Sequence, residues 1–435
     1  MSDSVSAVDA TAERAQVTGG ETSGAAAKGL DFGVAKILAM LGVATFIFVM
    51  REPSVFTTPS FWGEDGPIFF KGAIEQGIGA FLQQERGQLL IFERIVSFLS
   101  APLPVSMQPA LYAVACVAVA VLSCGIVLSS RWRFPIPLNA RFLCMLALLC
   151  SPAVDEIYVT LTNAHWWLGI GLLLLGMLYD PSSRRLKFGE IMFTAVSAVS
   201  GYAAIYGIPS LAVRAWRNRS RYSLLLLGIA VSGLLVQVYN LLAQHVHTGG
   251  APSFYAHPVT EVIALIRRIL GGAAMGDTNL AVLWPMRLPA LWVWLIPIAL
   301  VVVLTAVWIL ASRLETSALL LTLLGGSFVF IWSLDWSIDV LWLFAINGRY
   351  VVVPVAILYV SLIVWRSDSA RRRVVTGLAC VLLAVGILSD YRLSPLSTVP
   401  PADWTPFAAC VERGTTSCSV VIPPGWTLEI GPRRH

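Results

Sequence analysis

Long apolar runs leave this chain few ways to fold. Runs at about 32–50, 106–130, 139–152, 165–179, 222–244, 290–311, 316–334, 350–365 and 374–389 carry almost no charge and show no two-residue alternation. A bilayer offers no water to backbone groups, so only helices or closed barrels cross it, and the missing alternation selects helices. Of the 435 residues 57% are hydrophobic and 13% charged, about half the ~25% charge of soluble domains. The expected fold is an all-α polytopic membrane protein. Its net charge of +5 comes from short basic runs between apolar ones, a pattern that orients a membrane protein and does not point to nucleic acid.

Residues 1–30 mix Ala, Ser, Thr and Gly with scattered charge and are expected to form a disordered cytoplasmic tail. The run from Phe32 to Met50 lacks a small-residue cleavage site, so it reads as a retained span. Residues 31–390 form the expected membrane domain, with a first outer loop at 51–105, and 391–435 an extracytoplasmic tail.

Basic clusters fix the sidedness. They are Arg131/Arg133/Arg141, Arg184/Arg185/Lys187, Arg214/Arg217/Arg219/Arg221, Arg313 and Arg366/Arg371/Arg372/Arg373. A single span over 188–213 would put the four-arginine cluster outside. That segment contains Ser200-Gly201 and Ile208-Pro209, where helix-weakening residues interrupt the run. It is expected to be a short Gly/Pro-broken hairpin that returns to the side it left. The membrane helices then number about eleven, the N-terminus is cytoplasmic and the C-terminus extracytoplasmic. Five cysteines lie in apolar runs as small hydrophobes. Cys410 and Cys418, in the polar tail, can close a disulfide loop in an oxidising compartment, and no Cys/His cluster suggests a structural metal.

On the outer side four polar stretches stand out. Phe61-Trp62-Gly63-Glu64-Asp65-Gly66-Pro67 sets two carboxylates in a turn bracketed by Gly and Pro. In the same first loop, Gln88–Val96 reads as an amphipathic interfacial segment. Asp155-Glu156 precede Asn163-Ala164-His165-Trp166. His245–Leu288 holds Arg267-Arg268, and Asp335, Asp339 and Arg349-Tyr350 come later. Each has a plain reading as well. Asp65 can be a helix cap, Arg349 an interface anchor paired with Asp335 or Asp339, His165-Trp166 a belt anchor, and Arg267-Arg268 an ordinary headgroup contact.

An outer-face enzyme has no nucleotide sugar to hand, so activated groups arrive on a lipid. It needs a carboxylate to deprotonate an acceptor and cations to hold a phosphate leaving group. In residue order, the Trp-x-Glu-Asp loop, the Asp-Glu…Asn-x-His-Trp turn, the broken helix pair and Arg349-Tyr350-x-x-x-Pro354 resemble the GT-C superfamily of integral membrane glycosyltransferases. The likeness is to bacterial members similar to O-antigen-modifying glucosyltransferases, and it covers about 31–390 in topology more than in identities. It implies inverting transfer of a sugar from a polyprenyl-phosphate donor to an envelope glycan or lipid acceptor, at the outer face of the bacterial cytoplasmic membrane. Asp65 matches the family's general base, with Glu64 beside it as alternative or metal ligand, so a divalent cation is a candidate cofactor. Arg349 and Tyr350, with Arg267 and Arg268, are candidates for the donor phosphate; Asp155, Glu156, Asn163, His165 and Trp166 are candidates for substrate. The competing classes are a transporter or flippase of lipid-linked sugars and a noncatalytic membrane subunit of an envelope assembly. Polar groups gathered on one face, and halves without matching broken helices, weigh against transport.

Overall fold

The computed structural model describes residues 22–85, 87–243, 269, 271–276, 349, 351–365, 370–392 and 403–432. The runs expected at 290–311 and 316–334 lie outside these, as do Arg267, Arg268, Asp335, Asp339, Tyr350 and the histidines after His165. The chain divides into Met1–Gly42 and Val43–His435. Helix α1, Thr22–Val49, starts eight residues before the end of the tail expected to be disordered. Ala25-Ala26-Ala27-Lys28 are strong helix formers and carry the helix back from the apolar run.

The fold is mostly helical (74%). The larger unit contains α2 (Ile91–Ser100), α3 (Gln108–Gly125), α4 (Leu138–Leu149), α5 (Ala164–Leu175), α6 (Arg184–Ala198), α7 (Ala204–Asn218), α8 (Arg221–Ala243), α9 (Val352–Trp365), α10 (Ala370–Ser389) and α11 (Trp404–Arg413). Two strands follow, β1 (Cys418–Ile422) and β2 (Trp426–Ile430), antiparallel with Val420 opposite Leu428.

Among the described residues two stretches have the length and composition to cross a membrane, Val105–Leu128 with 24 residues and Arg221–Ala243 with 23. At 1.5 Å per residue each covers about 35 Å, against about 30 Å of hydrocarbon. About eleven membrane helices is therefore not supported. The runs at 139–152 and 165–179 fold as α4 and α5, of 12 residues each. Such helices reach only about 18 Å. The cause is burial: α5 is enclosed on nearly all sides between α3 and α7, and a helix in a protein core has the same apolar composition as one in lipid.

Polarity is inverted on several helices. Helix α8 buries Ser223, Gln237 and Asn240 while Leu224, Leu235, Tyr239 and Leu242 stand exposed. On α2, Glu93, Arg94 and Ser97 point inward and Leu99 is exposed. The segment at 88–96, expected to be amphipathic with its polar face outward, is two-faced with the polar face inward.

The segment expected to be broken by Gly and Pro doubles back at Gly201 alone, and Pro209 lies inside α7 without ending it. Helix α6 ends at Ala198, Gly201 turns at φ +69°, and α7 begins at Ala204. The turn is fixed by Gly201 N–H to Leu89 O (2.7 Å) and Phe92 N–H to Ser200 Oγ (2.8 Å). Gln237 of α8 brackets Leu89, accepting from its N–H and donating to its carbonyl at 2.9 Å each. The far ends of α6 and α7 meet at Arg214, which is fully buried. Its guanidinium reaches Glu190 at 2.9 Å, Asp180 at 3.1 Å and Leu175 O at 3.0 Å. Arg131 and the Tyr222 hydroxyl also bond Glu190. Asp180 accepts from Ser220, Ser223 and Asn218. Burial raises the Asp180 carboxyl, but the hydroxyls of Ser220 and Ser223 and the Arg214 charge outweigh it and hold it below the usual carboxylate range.

A second arginine closes the other end. Arg51, two residues beyond α1, donates to Leu149 O and Ser151 O after α4 and to Asp390 O and Tyr391 O after α10, at 3.0–3.3 Å. Guanidinium donors satisfy carbonyls that helix C-termini leave open.

Candidate active site

The acidic motif folds as a short 3-10 turn, Gly63–Asp65, running into helical turns over Gly66–Gln76. Gly63 sits at φ +46°, a left-handed conformation that glycine adopts without Cβ strain. Glu64 is half-buried, and Asp65 is only 3% exposed. Both Asp65 oxygens are held: Thr162 N–H donates to Oδ1 at 2.7 Å and Leu161 N–H to Oδ2 at 3.0 Å. Asp65 thus closes the start of the turn that leads into α5; it does not cap the helical turn at Gly66 that follows it, as a local capping reading expects. The capped element lies about a hundred residues away, which no local pattern could reveal.

Burial pushes the Asp65 carboxyl up to about 8; the two backbone N–H groups pull it down, and Glu64 and Glu93 add to the rise. The carboxyl borders a cavity of about 40 Å³ walled by Trp62, Tyr112, Val159 and Pro423. Arg349 is not among its walls.

Arg349 enters through the same turn. Its Nη1 lies 3.1 Å from Glu156 Oε1, so the described partner of Arg349 is Glu156, where the sequence suggested Asp335 or Asp339. Asn163 Nδ2 and Thr160 Oγ1 both donate to Glu156 O, at 3.1 and 3.0 Å. The segment from Glu156 to Thr162 therefore carries the Arg349 pair at one end and holds Asp65 at the other. Asp155 lies in the 3-10 turn Pro152–Ile157, its side chain outside the described part of the structure.

Asn163 and His165 are placed by this architecture without opening to a ligand. Asn163 is 2% exposed, its amide engaged within the turn. His165 N–H donates to Glu93 Oε1 (3.1 Å), its Nδ1 lies 3.4 Å from the same oxygen, and its ring abuts the Gly201 turn, where a Cβ would come within 2.9 Å. Trp166 stacks beside His165 at 4.9 Å and faces Tyr206 at 6.3 Å. His165 and Trp166 are thus packed within the helices and do not form an exposed belt.

Sequence reasoning missed Glu93, Tyr112 and the whole C-terminal segment as site components. That segment is a folded clasp: α11 and the β1–β2 hairpin, joined by Cys410–Cys418 with Cα atoms 5.9 Å apart, as the sequence allowed. Gly63 N–H donates to Pro423 O at 2.7 Å. Gly66 meets Ile422 so closely that a Cβ would come within 2.7 Å. Trp404 packs edge-on to Phe61 at 4.7 Å, and its Nε1 donates to Val105 O at 2.9 Å. Glu412 accepts from Val105 N–H at 2.9 Å. Hydrophobic alternation over two five-residue strands is too short a signal to place such a clasp from sequence.

A divalent cation does not fit this arrangement. Both Asp65 oxygens take backbone donors, Glu156 faces Arg349, and among the described residues no three His, Cys, Asp or Glu side chains converge. No family model, curated protein or solved structure matches this chain.

Proposed function

We propose that the chain is an integral membrane glycosyltransferase that moves a sugar from a polyprenyl-phosphate donor to an envelope glycan or lipid acceptor. The observation that carries the reading is Asp65: a buried carboxyl raised to about 8, bordering a cavity and tied through one turn to the Glu156–Arg349 pair. A base whose pKa lies near working pH combines a sufficient ionised fraction with real proton affinity. In this reaction an acceptor hydroxyl oxygen bonds to the anomeric carbon from the face opposite the phosphate. The bond from that carbon to the phosphate oxygen breaks with its electron pair, the hydroxyl proton passes to Asp65, and Arg349 balances the charge on the departing polyprenyl phosphate.

The location follows from the same reading. Exposed leucines on α8 and α2 suit contact with lipid, and the Cys410–Cys418 pair suits an oxidising space outside the cytoplasmic membrane. The N-terminus is then cytoplasmic and the clasp extracytoplasmic.

The two N–H bonds to Asp65 favour a second reading, a noncatalytic membrane subunit in which this carboxyl only braces α5. Transfer from a radiolabelled polyprenyl-phosphate sugar in membranes separates them. Asp65→Asn is close to isosteric and keeps one of the two N–H bonds through its amide oxygen, while the other N–H is left facing the amide nitrogen. Folded protein with transfer lost supports the enzyme; folded protein with undiminished transfer removes Asp65 from the chemistry.

A further inference from the structure

A second cavity opens on the other side of the acidic segment. Pro67 and Ile68, just past Asp65, form one wall of a cleft of about 330 Å³. This is within the ~300–1,000 Å³ range of small-molecule sites, but those are mostly apolar. Here Gln76, Gln83 and Gln84 contribute amides, and Glu75 and Glu85 stand with Lys71 and Arg94. Two acids and two bases leave no net charge to select an anion.

Arg94 is the built part. It is 2% exposed, donates from Nη1 to Ile68 O at 2.8 Å, and lies over the Phe69 ring at 4.8 Å. Its Nε–H is buried with no hydrogen-bond partner among the described residues. Leaving such a donor unmet is costly, and a ligand oxygen would satisfy it. Gly72 makes room for this guanidinium, since a Cβ there would come within 2.9 Å of Nη1.

We propose that this cleft is a binding site for a neutral saccharide, a sugar unit of the acceptor other than the one whose hydroxyl meets Asp65. Planar amides, carboxylates and a guanidinium donate and accept in pairs, which suits adjacent hydroxyls of a sugar ring, and the balanced charge favours an uncharged one. Its role as acceptor site rests on the glycosyl-transfer reading; saccharide binding itself does not.

The test is saturation-transfer NMR on the full chain in nanodiscs, with methyl α-glucoside, methyl α-mannoside, glucuronate and inorganic phosphate as probes. Saturable binding of a neutral glycoside is expected, weakened about tenfold by Arg94→Lys, which keeps the charge and loses the Nε donor. Because Arg94 is buried, the exposed pair Gln76→Ala/Gln83→Ala serves as a second variant and should weaken binding severalfold with the fold intact. No saturable glycoside binding, binding unchanged in both variants, or binding of phosphate or glucuronate alone overturns the proposal. Glycoside binding in a chain that transfers no sugar leaves the cleft standing and sinks the transferase reading.

Discussion

Two carboxylates at separate sites in this protein, Asp65 buried and Asp180 half-buried, are treated in opposite ways. Asp180 meets three side-chain donors and the Arg214 charge, and ends below the ordinary carboxylate range. Asp65 meets two backbone N–H groups and, among the described residues, no cation, and ends at about 8. Burial acts on both and more strongly on Asp65; at Asp180 the hydroxyl donors and the Arg214 charge outweigh it. A fully paired cluster locks a hairpin, whereas an underpaired acid keeps a proton that can be exchanged near neutral pH. Perturbation of the second kind marks a candidate for chemistry, and the first kind marks architecture.

The contrast can be broken at either end. Asp65→Asn is expected to lower sugar transfer by about 10²–10⁴-fold, the usual contribution of a positioned base, while the one N–H bond it loses costs about 1–3 kcal/mol of stability. The assay is transfer from labelled polyprenyl-phosphate sugar beside a melt in detergent. Arg214→Ala should weigh instead on stability. It removes the cation that Glu190 and Asp180 share, which costs up to about 3–5 kcal/mol for a broken buried pair, and the loss appears as a lower melting temperature. If it melts like the parent, the cluster is not the lock described here.

A smaller effect is expected from Cys410→Ser/Cys418→Ser. Opening a loop with a sequence separation of 8 costs about 2–3 kcal/mol in the clasp by the loop-entropy relation. Hydrogen exchange at Gly63, whose N–H bonds Pro423 O, should speed up while that around Arg214 stays unchanged.

The gentlest prediction is a pH slope. The Asp65 pKa rises from an ordinary 3.8 to about 8 on folding, so between those values the folded state holds the extra proton. Stability from this group is full below about 4, falls as pH rises and levels off above about 8, with a slope no steeper than about 1.4 kcal/mol per pH unit. Transfer should climb over the upper part of the same window, because the base must be ionised. Denaturation midpoints at several pH values check the slope, and Asp65→Asn should flatten it.

Much of the frame was readable before folding. The runs at 106–130 and 222–244 match Val105–Leu128 and Arg221–Ala243 closely, because long uncharged stretches have few alternatives. Gly201 and the flanking basic residues revealed the hairpin, since a break and two positive ends on one side constrain the path. Span number was not readable, because α5 is apolar through burial in protein and its composition does not record which apolar phase surrounds it. In the site, Asp65, Glu156 and Arg349 were legible as charges in apolar surroundings. Their pairing was not, as Asp65 to Thr162 and Arg349 to Glu156 are links the fold makes between distant segments. Pro423 gave no signal at all; only the hairpin brings it to the cavity.

The clasp has a consequence for biosynthesis. Val105 and Glu412 are joined across 307 residues, and the same clasp supplies Pro423 to the cavity beside Asp65. At about 5–20 residues per second, the early half waits on the order of 15–60 s for the piece that completes it. Until then Asp65 has no finished pocket and the aromatic rings of Phe61 and Phe70 have no Trp404 to cover them. Chains interrupted before the clasp would therefore carry an exposed aromatic patch and an open acid, so arrival of the clasp and readiness of the site coincide in one docking event.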